Sequence, residues 1–452
     1  MPFSSGGVSF SRLLVNAGPE TPTRSIGLEQ LEVLSEHRFE QTDLGIPLET
    51  EAGWTTAVHL MDTAFDYDKV VHQDGSLGLF GLRIDTNKVP ADVKKAVRTQ
   101  HEIALAKDNP SGFLSKRQKT EAKELAEHEL HEHLSAGRYR KSKMTELLWD
   151  VPSKTVLTAG SANRTLEVLS ERWRATWGGG LSPASAGSLA YAFLSAKGLG
   201  RDYEDLRPSA FTAPPPGAGS RADEAGEPVF GDDPLAPEVP WAAGGPEPRD
   251  FLGNELLIWL WYMVDQHEGL IELRDEGEGV SEIAVLLDRS LEMECGWGIS
   301  GKQSLRDHAG GTAPVRMPEA ADALATGKWP RKAGLVLADG AGAGDQFTLT
   351  LQADRWLVSG AKLPHTEQEF ETASELAEWR LEQIVRLDGL LLRLFHTFLE
   401  VRCSDRWPTM RQKIREWIKA NRKKRAGIGA PAQMEAKPSS VSAPMSVGDG
   451  SE

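Results

Sequence analysis

Between Pro208 and Arg249 the chain reads PPPGAGS, DDPLAPEVP and GGPEP, and this stretch divides its 452 residues into two parts. Proline fixes φ and removes a backbone donor, glycine adds conformational freedom, and few apolar side chains are present to bury. The segment therefore reads as a flexible linker over 208–249. A second segment, 426–452, is small, polar and proline-bearing with no periodic apolar face, and reads as a disordered tail. What remains is a block over 1–207 and a block over 250–425. The length exceeds what one core usually serves, so two or more domains are the prior. No internal repeat is evident.

Both blocks mix strand and helix patterns. In the first, VSFSRLLV and LGLFGLRID have the β-branched and apolar content of strands, with a helix-like run after Ser25 between them. Pro90 sits where a helix commonly begins, and ADVKKAVRTQHEIALAK continues at helical spacing. A second helix is predicted from Ser115 to His133, followed by strands at ELLWDV and TVLTAG and a helix capped by Ser161 and running through Trp173. The second block opens with DFLGNELLIWLWYMVDQ, apolar almost all round, which predicts a helix buried in a core. Strands follow at LIEL and EIAVLLD, then a short helix from Pro318 to Gly327, then strands KAGLVLAD and QFTLTLQ joined through GAGAG. Long helices over Glu369–Glu400 and Trp407–Lys424 end the block. The fold class is α+β. Trp149, Trp173, Trp177, Trp259, Trp261, Trp379 and Trp417 fall on or beside apolar faces, so core packing is their expected role.

With 40% hydrophobic and 26% charged residues the composition is that of an ordinary globular protein. No apolar run is long enough to cross a bilayer, and MPFSSGGVSF lacks a basic flank followed by a long apolar core, so no membrane association and a cytoplasmic location are expected. Cys295 and Cys403 are too few for a disulfide framework or a thiolate zinc site.

Against a net charge of −15, one region is cationic. Lys94, Lys95, Arg98, Lys107, Lys116, Arg117, Lys119 and Lys123 precede Arg138, Arg140, Lys141 and Lys143 in GRYRKSK. Segregated positive charge in an acidic chain suggests a polyanion partner. Lys328, Arg331 and Lys332 form a second candidate patch, and KANRKKR, Lys419 to Arg425, a further phosphate anchor. The competing interpretation is a solvated helix face, with the lysines paired to Glu102, Glu121, Glu124, Glu127, Glu129 and Glu132 at helical spacings. The Arg138 to Lys143 cluster has no interleaved acids and is the stronger half.

Three near-motifs invite catalytic or cofactor readings. GWGISGKQ mimics a phosphate-cradling loop, but Gln303 replaces the hydroxyl that would hold magnesium, and RDHAGGTAPV, which follows, is no amphipathic helix. In EHELHEH the residues His128, His131 and His133 lack the zinc-protease spacing. Asp108, Glu121 and Lys123 imitate a nuclease set, yet Glu121 and Lys123 are two apart on a predicted helix and point apart. No catalytic residue, metal or cofactor is assigned. A metal-dependent exonuclease and a protein-interaction scaffold stand as the alternatives to a DNA binder.

The order KVPADVKKAV, charged helical excursion, basic turn, LLWD, SANRTLEVLSERW, EAADALATGKWPRKAGLVL and the strand ending in LVSGAKLP resembles the recombination-associated protein RdgC family over most of the chain outside linker and tail. That resemblance implies a sequence-tolerant duplex DNA-binding protein of the bacterial nucleoid. It also implies a homodimeric ring with a positive hole, and restraint of RecA-driven recombination. By the same resemblance Tyr139 stands where the family carries a phenylalanine that packs across the dimer contact. The chain departs from the family in its linker, its apolar helix at Phe251 to Asp265 and its extended C-terminal helices.

Overall fold

The computed structural model describes residues 3–41, 48–107, 112–215, 217–218, 239–240, 247–274, 280–299, 301–306, 313–339, 346–366 and 368–428. The first block runs β1 (Val8–Asn16), α1 (Leu28–Glu36), β2 (Thr50–Thr56), α2 (Tyr67–Val70), β3 (Val71–His72), β4 (Leu77–Asn87), α3 (Ala91–Lys107), α4 (Lys116–Ser135), β5 (Arg140–Asp150), β6 (Thr155–Thr158), α5 (Asn163–Trp177), β7 (Gly180–Pro183), α6 (Ala186–Ala196) and α7 (Gly200–Asp205). The second supplies α8 (Phe251–Gln266), β8 (Leu270–Arg274), β9 (Val280–Cys295), β10 (Gln303–Arg306), α9 (Pro318–Ala325), β11 (Lys328–Asp339), β12 (Gln346–Gln352), β13 (Leu357–Lys362), α10 (Ala373–Arg402) and α11 (Trp407–Ile428). The class is α+β, with a large antiparallel sheet and long C-terminal helices, as the sequence predicts.

The two blocks meet in one sheet rather than folding around separate cores. Its strands run β10, β9, β11, β12, β13, β1, β6, β5, β4, β2. The seam is β1, which pairs antiparallel with β13 of the second block, Phe10 opposite Val358, and with β6 of the first, Arg12 opposite Leu157. A central strand is covered on both faces, and β1 is buried along most of its length.

One face of the first block packs Phe80, Leu82, Leu147 and Trp149 against Leu169, Trp173 and Trp177 of α5 and Leu31 and Leu34 of α1. The opposite face joins both blocks, with Phe3, Phe10 and Leu148 in one cluster with Leu257 of α8, Leu349 of β12 and Phe395 of α10. As predicted, α8 is buried all round, from Phe251 to Tyr262. It approaches the strand turn so closely that a Cβ on Gly253 would lie 2.4 Å from the Ala353 backbone. Trp149, Trp173, Trp177, Trp259, Trp261 and Trp417 are buried, and Trp379 is half-buried beside Phe370.

Several boundaries differ from the sequence expectation. Ala162, not Ser161, is the N-cap of α5, which continues to Trp177 and stops at Gly178 with φ 67°. The supposed basic turn is strand from Arg140 onward. The start of the linker is packed: Phe211 is buried with its ring 5.7 Å from Trp329 and 6.3 Å from Trp407, and the Ser209 amide donates to Glu255 at 2.6 Å. The GAGAG segment, most of the linker and the tail beyond Ile428 lie outside the described residues.

From the paired ends of β4 and β5, where Asn87 faces Arg140, α3 and α4 leave the sheet as an antiparallel arm. Their lengths of 17 and 20 residues correspond to about 25 and 30 Å. The arm has its own small core, in which Val97, Ala126 and Leu130 are buried against Val89 and Val93. Ser115 caps α4, accepting from the Gln118 amide while the Gln118 side chain takes the Ser115 amide at 3.0 Å.

Candidate nucleic-acid interface

Lys94, Lys95, Arg98 and Lys107 on α3 and Lys116, Arg117, Lys119 and Lys123 on α4 are all exposed. Two of them form the helical pairs of the solvated-face interpretation: Arg98 with Glu102 at 2.9 Å and Lys123 with Glu127 at 3.6 Å. Lys94, Lys95, Lys107, Lys116, Arg117 and Lys119 have no carboxylate partner among the described residues. The first turn of α4 carries Lys116 and Arg117 and no acid. That is the positive end of the helix dipole, where cations are unfavourable by about 0.3–1 kcal/mol each. Helix stability therefore does not explain their placement.

At the base of the arm, strand alternation sorts the GRYRKSK side chains. Lys141 and Lys143 share the face of Thr145, Leu147 and Trp149 but lie beyond the cover of α5, and both are exposed. Arg140 alternates to the other face, where its Nη2 donates to Glu51 at 2.6 Å and its Nε lies 4.0 Å from Asp85. Arg83 in turn donates to both Asp85 carboxylate oxygens at 2.8 Å, with its guanidinium 4.0 Å from the centre of the Phe39 ring. Burial alone would raise the Asp85 carboxyl, but hydrogen bonds from Arg83 and Ser142 outweigh it and hold the group below its usual range. The expectation that Arg140 contacts phosphate is therefore corrected: it is a half-buried cross-strand tie. Arg138 is exposed and its Nη1 donates to His133 Nε2 at 2.7 Å. Nδ1 of the same ring lies 3.2 Å from Tyr139 Oη. Tyr139 is half-buried against this imidazole.

The second candidate patch does not form. Arg331 is enclosed between Glu294 and Asp354, the latter at 2.9 Å, and Lys332 pairs with Glu292 at 3.4 Å. Lys328 is half-buried at the start of β11. Moreover β12, β13, β1 and β6 lie between β11 and β5, a separation of about 24 Å at ordinary strand spacing. Arg331 and Lys332 are neutralised where they sit, and at that distance none of the three extends the arm's positive surface. In KANRKKR, Arg422 pairs with Asp322 at 3.1 Å and Asn421 is buried.

Of the near-motifs, GWGISGKQ joins β9 to β10 in an antiparallel pair, with Gln303 the first residue of β10; Ser300 lies outside the described residues. The described residue that follows the loop begins a strand, not a helix. His128 is exposed beside Glu132 at 3.5 Å, and His131 lines a cleft with Asn87, Lys94 and Glu127 between arm and sheet. Among the described residues no three His, Cys, Asp or Glu side chains are grouped to hold a metal ion. Asp108 lies outside those residues, while Glu121 is exposed on α4. Among them, too, no helix is long and apolar enough to cross a membrane. Cys295 and Cys403 are not joined in a disulfide. One exposed residue of the arm escaped the sequence reasoning: Phe113, whose only signal is a lone aromatic in the polar run SGFLSKRQK.

No family model matches this sequence, and no curated protein matches it.

Proposed function

We propose that this chain is a sequence-tolerant duplex DNA-binding protein of the RdgC kind, acting as a homodimer that coats or encircles DNA in the nucleoid and restrains RecA-dependent recombination. One observation carries the reading. On a protein of net charge −15, Lys94, Lys95, Lys116, Arg117, Lys119, Lys141 and Lys143 lie along a projecting arm and its base, exposed and without carboxylate partners among the described residues. Arg331, Lys332 and Arg140 on sheet strands are, by contrast, paired with carboxylates.

Cations that follow a phosphate backbone release condensed counterions, which gives affinity blind to base sequence. A protein holding the backbone in this way obstructs a recombinase filament on the same duplex. Tyr139, at the arm's base, is the proposed self-contact, with His133 fixing its ring. In this reading the chain performs no chemistry on DNA and needs no cofactor.

Fluorescence anisotropy with unrelated duplexes over a salt titration tests the reading. Similar affinities and a log–log slope of about −6 per protomer are expected if the seven cations all engage. A flat salt response overturns it. Labelled duplex incubated with magnesium or manganese must keep its length; shortening would favour the exonuclease alternative. Mass measurement of wild type and Tyr139→Ala, with and without duplex, tests the self-contact.

A further inference from the structure

Phe113 is 82% exposed, more than any other large apolar side chain described. It lies at the far end of the arm, two residues before the Ser115 cap of α4. Lys116, Arg117 and Lys119 follow within the first turns of α4, and Lys107 closes α3 at the same end of the antiparallel pair. Ile103, one turn before Lys107, is 54% exposed.

Single exposed apolar residues are common and by themselves mean little. This one is distinguished by its surroundings, four cations that no described carboxylate neutralises. An occupant must therefore offer negative charge around an apolar slot. Duplex DNA does so: phosphates flank a base step into which an aromatic side chain can wedge from the minor groove. A second copy meeting tip to tip would bring two sets of the same four cations together, which disfavours that pairing.

We propose that Phe113 is a wedge that enters one base step of the bound duplex while Lys107, Lys116, Arg117 and Lys119 hold the adjacent phosphates. The inference rests on the DNA-binding reading above and adds to it a local unstacking and bend. Base stacking on an aromatic face tolerates every base, so sequence tolerance is preserved, with a preference for easily unstacked pyrimidine–purine steps.

The test uses the full chain and a duplex carrying 2-aminopurine at a TA step. Wild type should raise the 2-aminopurine fluorescence on binding. Phe113→Ala should abolish that rise and weaken binding about fivefold while leaving the salt slope unchanged, because the cations remain. Phe113→Trp should retain the rise. The wedge is overturned if Phe113→Ala keeps both the signal and the affinity, or if its defect is loss of self-association by mass at unchanged affinity per protomer. A wild type that binds with a steep salt slope but gives no fluorescence change sinks the wedge alone, whereas a wild type without salt-dependent binding sinks the DNA-binding reading itself.

Discussion

The arm and the sheet use the same cationic residues in opposite ways. In the sheet and the helices packed on it, Arg12 of β1 is buried against Asp388, Arg331 of β11 lies between two carboxylates, and Arg402 of α10 donates to the fully buried Glu255 at 2.6 Å, to the Arg207 carbonyl at 2.7 Å, and lies over Trp407. A buried charge without a partner is costly, so each is neutralised where it sits. On the arm, water solvates the ammonium and guanidinium groups, pairing is optional, and most of the cations remain unpaired. Buried positive residues therefore hold the fold, while the exposed ones on the arm and at its base remain open to an external anion. The −15 net charge is thus compatible with a polyanion-binding surface, provided the surface lies on an element with little core of its own.

The sharpest way to break this comparison is to remove a buried cation of the core. Arg402→Met should destabilise the protein by about 3–5 kcal/mol in denaturant unfolding, because Glu255 is left buried and unpaired. Under native conditions the folded fraction should still bind DNA normally; a loss of binding with an intact fold would erase the distinction.

The next effect is a pH dependence confined to the sheet side. His396 stacks on Phe193 at 4.0 Å, and burial, reinforced by Arg12 and Lys197, lowers its pKa to about 4. The unfolded imidazole binds its proton near pH 6.5 and the folded one resists, so stability present above pH 6.5 is lost as pH falls toward 4. His396→Gln should remove roughly 3 kcal/mol of that acid sensitivity in thermal melts across this window. Parallel curves for wild type and variant would contradict the assignment.

On the arm, changing Lys116, Arg117 and Lys119 together to glutamate should weaken duplex binding about 100-fold at moderate salt. The melting temperature should hold or rise, since acids then occupy the first turn of α4. Lys328→Glu with Lys332→Glu should change binding less than about threefold, and an equal loss from both sets would restore the rejected second patch. Smallest of all, Arg98→Ala removes only an exposed helical pair and should cost less than about 0.5 kcal/mol in chemical denaturation.

Much of the fold was legible locally. The all-round apolar run of α8, the Pro90 start of α3, the Ser115 cap, the β-branched and apolar content of β4 and β11 and the alternation of β12 each carry their structure in a short window. TEAGWTT, the β2 strand, does not, because its glycine and threonines lack an alternating apolar signal and it becomes strand by pairing with β4. The candidate interface divides in the same way. The exposed lysines of the arm follow from helical spacing and polarity, but Arg140 is equivalent to Lys141 and Lys143 by sequence, and only folding brings Glu51, distant in sequence, beside it.

The sequence by itself determined most helices, most strands and the concentration of positive charge between Lys94 and Lys143, because periodicity and composition act over a few residues. Tertiary structure alone decided that both blocks close into a single sheet through β1, and which cations are neutralised. Strand pairing and ion pairing join residues far apart in sequence, and a cation is open to a partner only where folding brings no carboxylate to it.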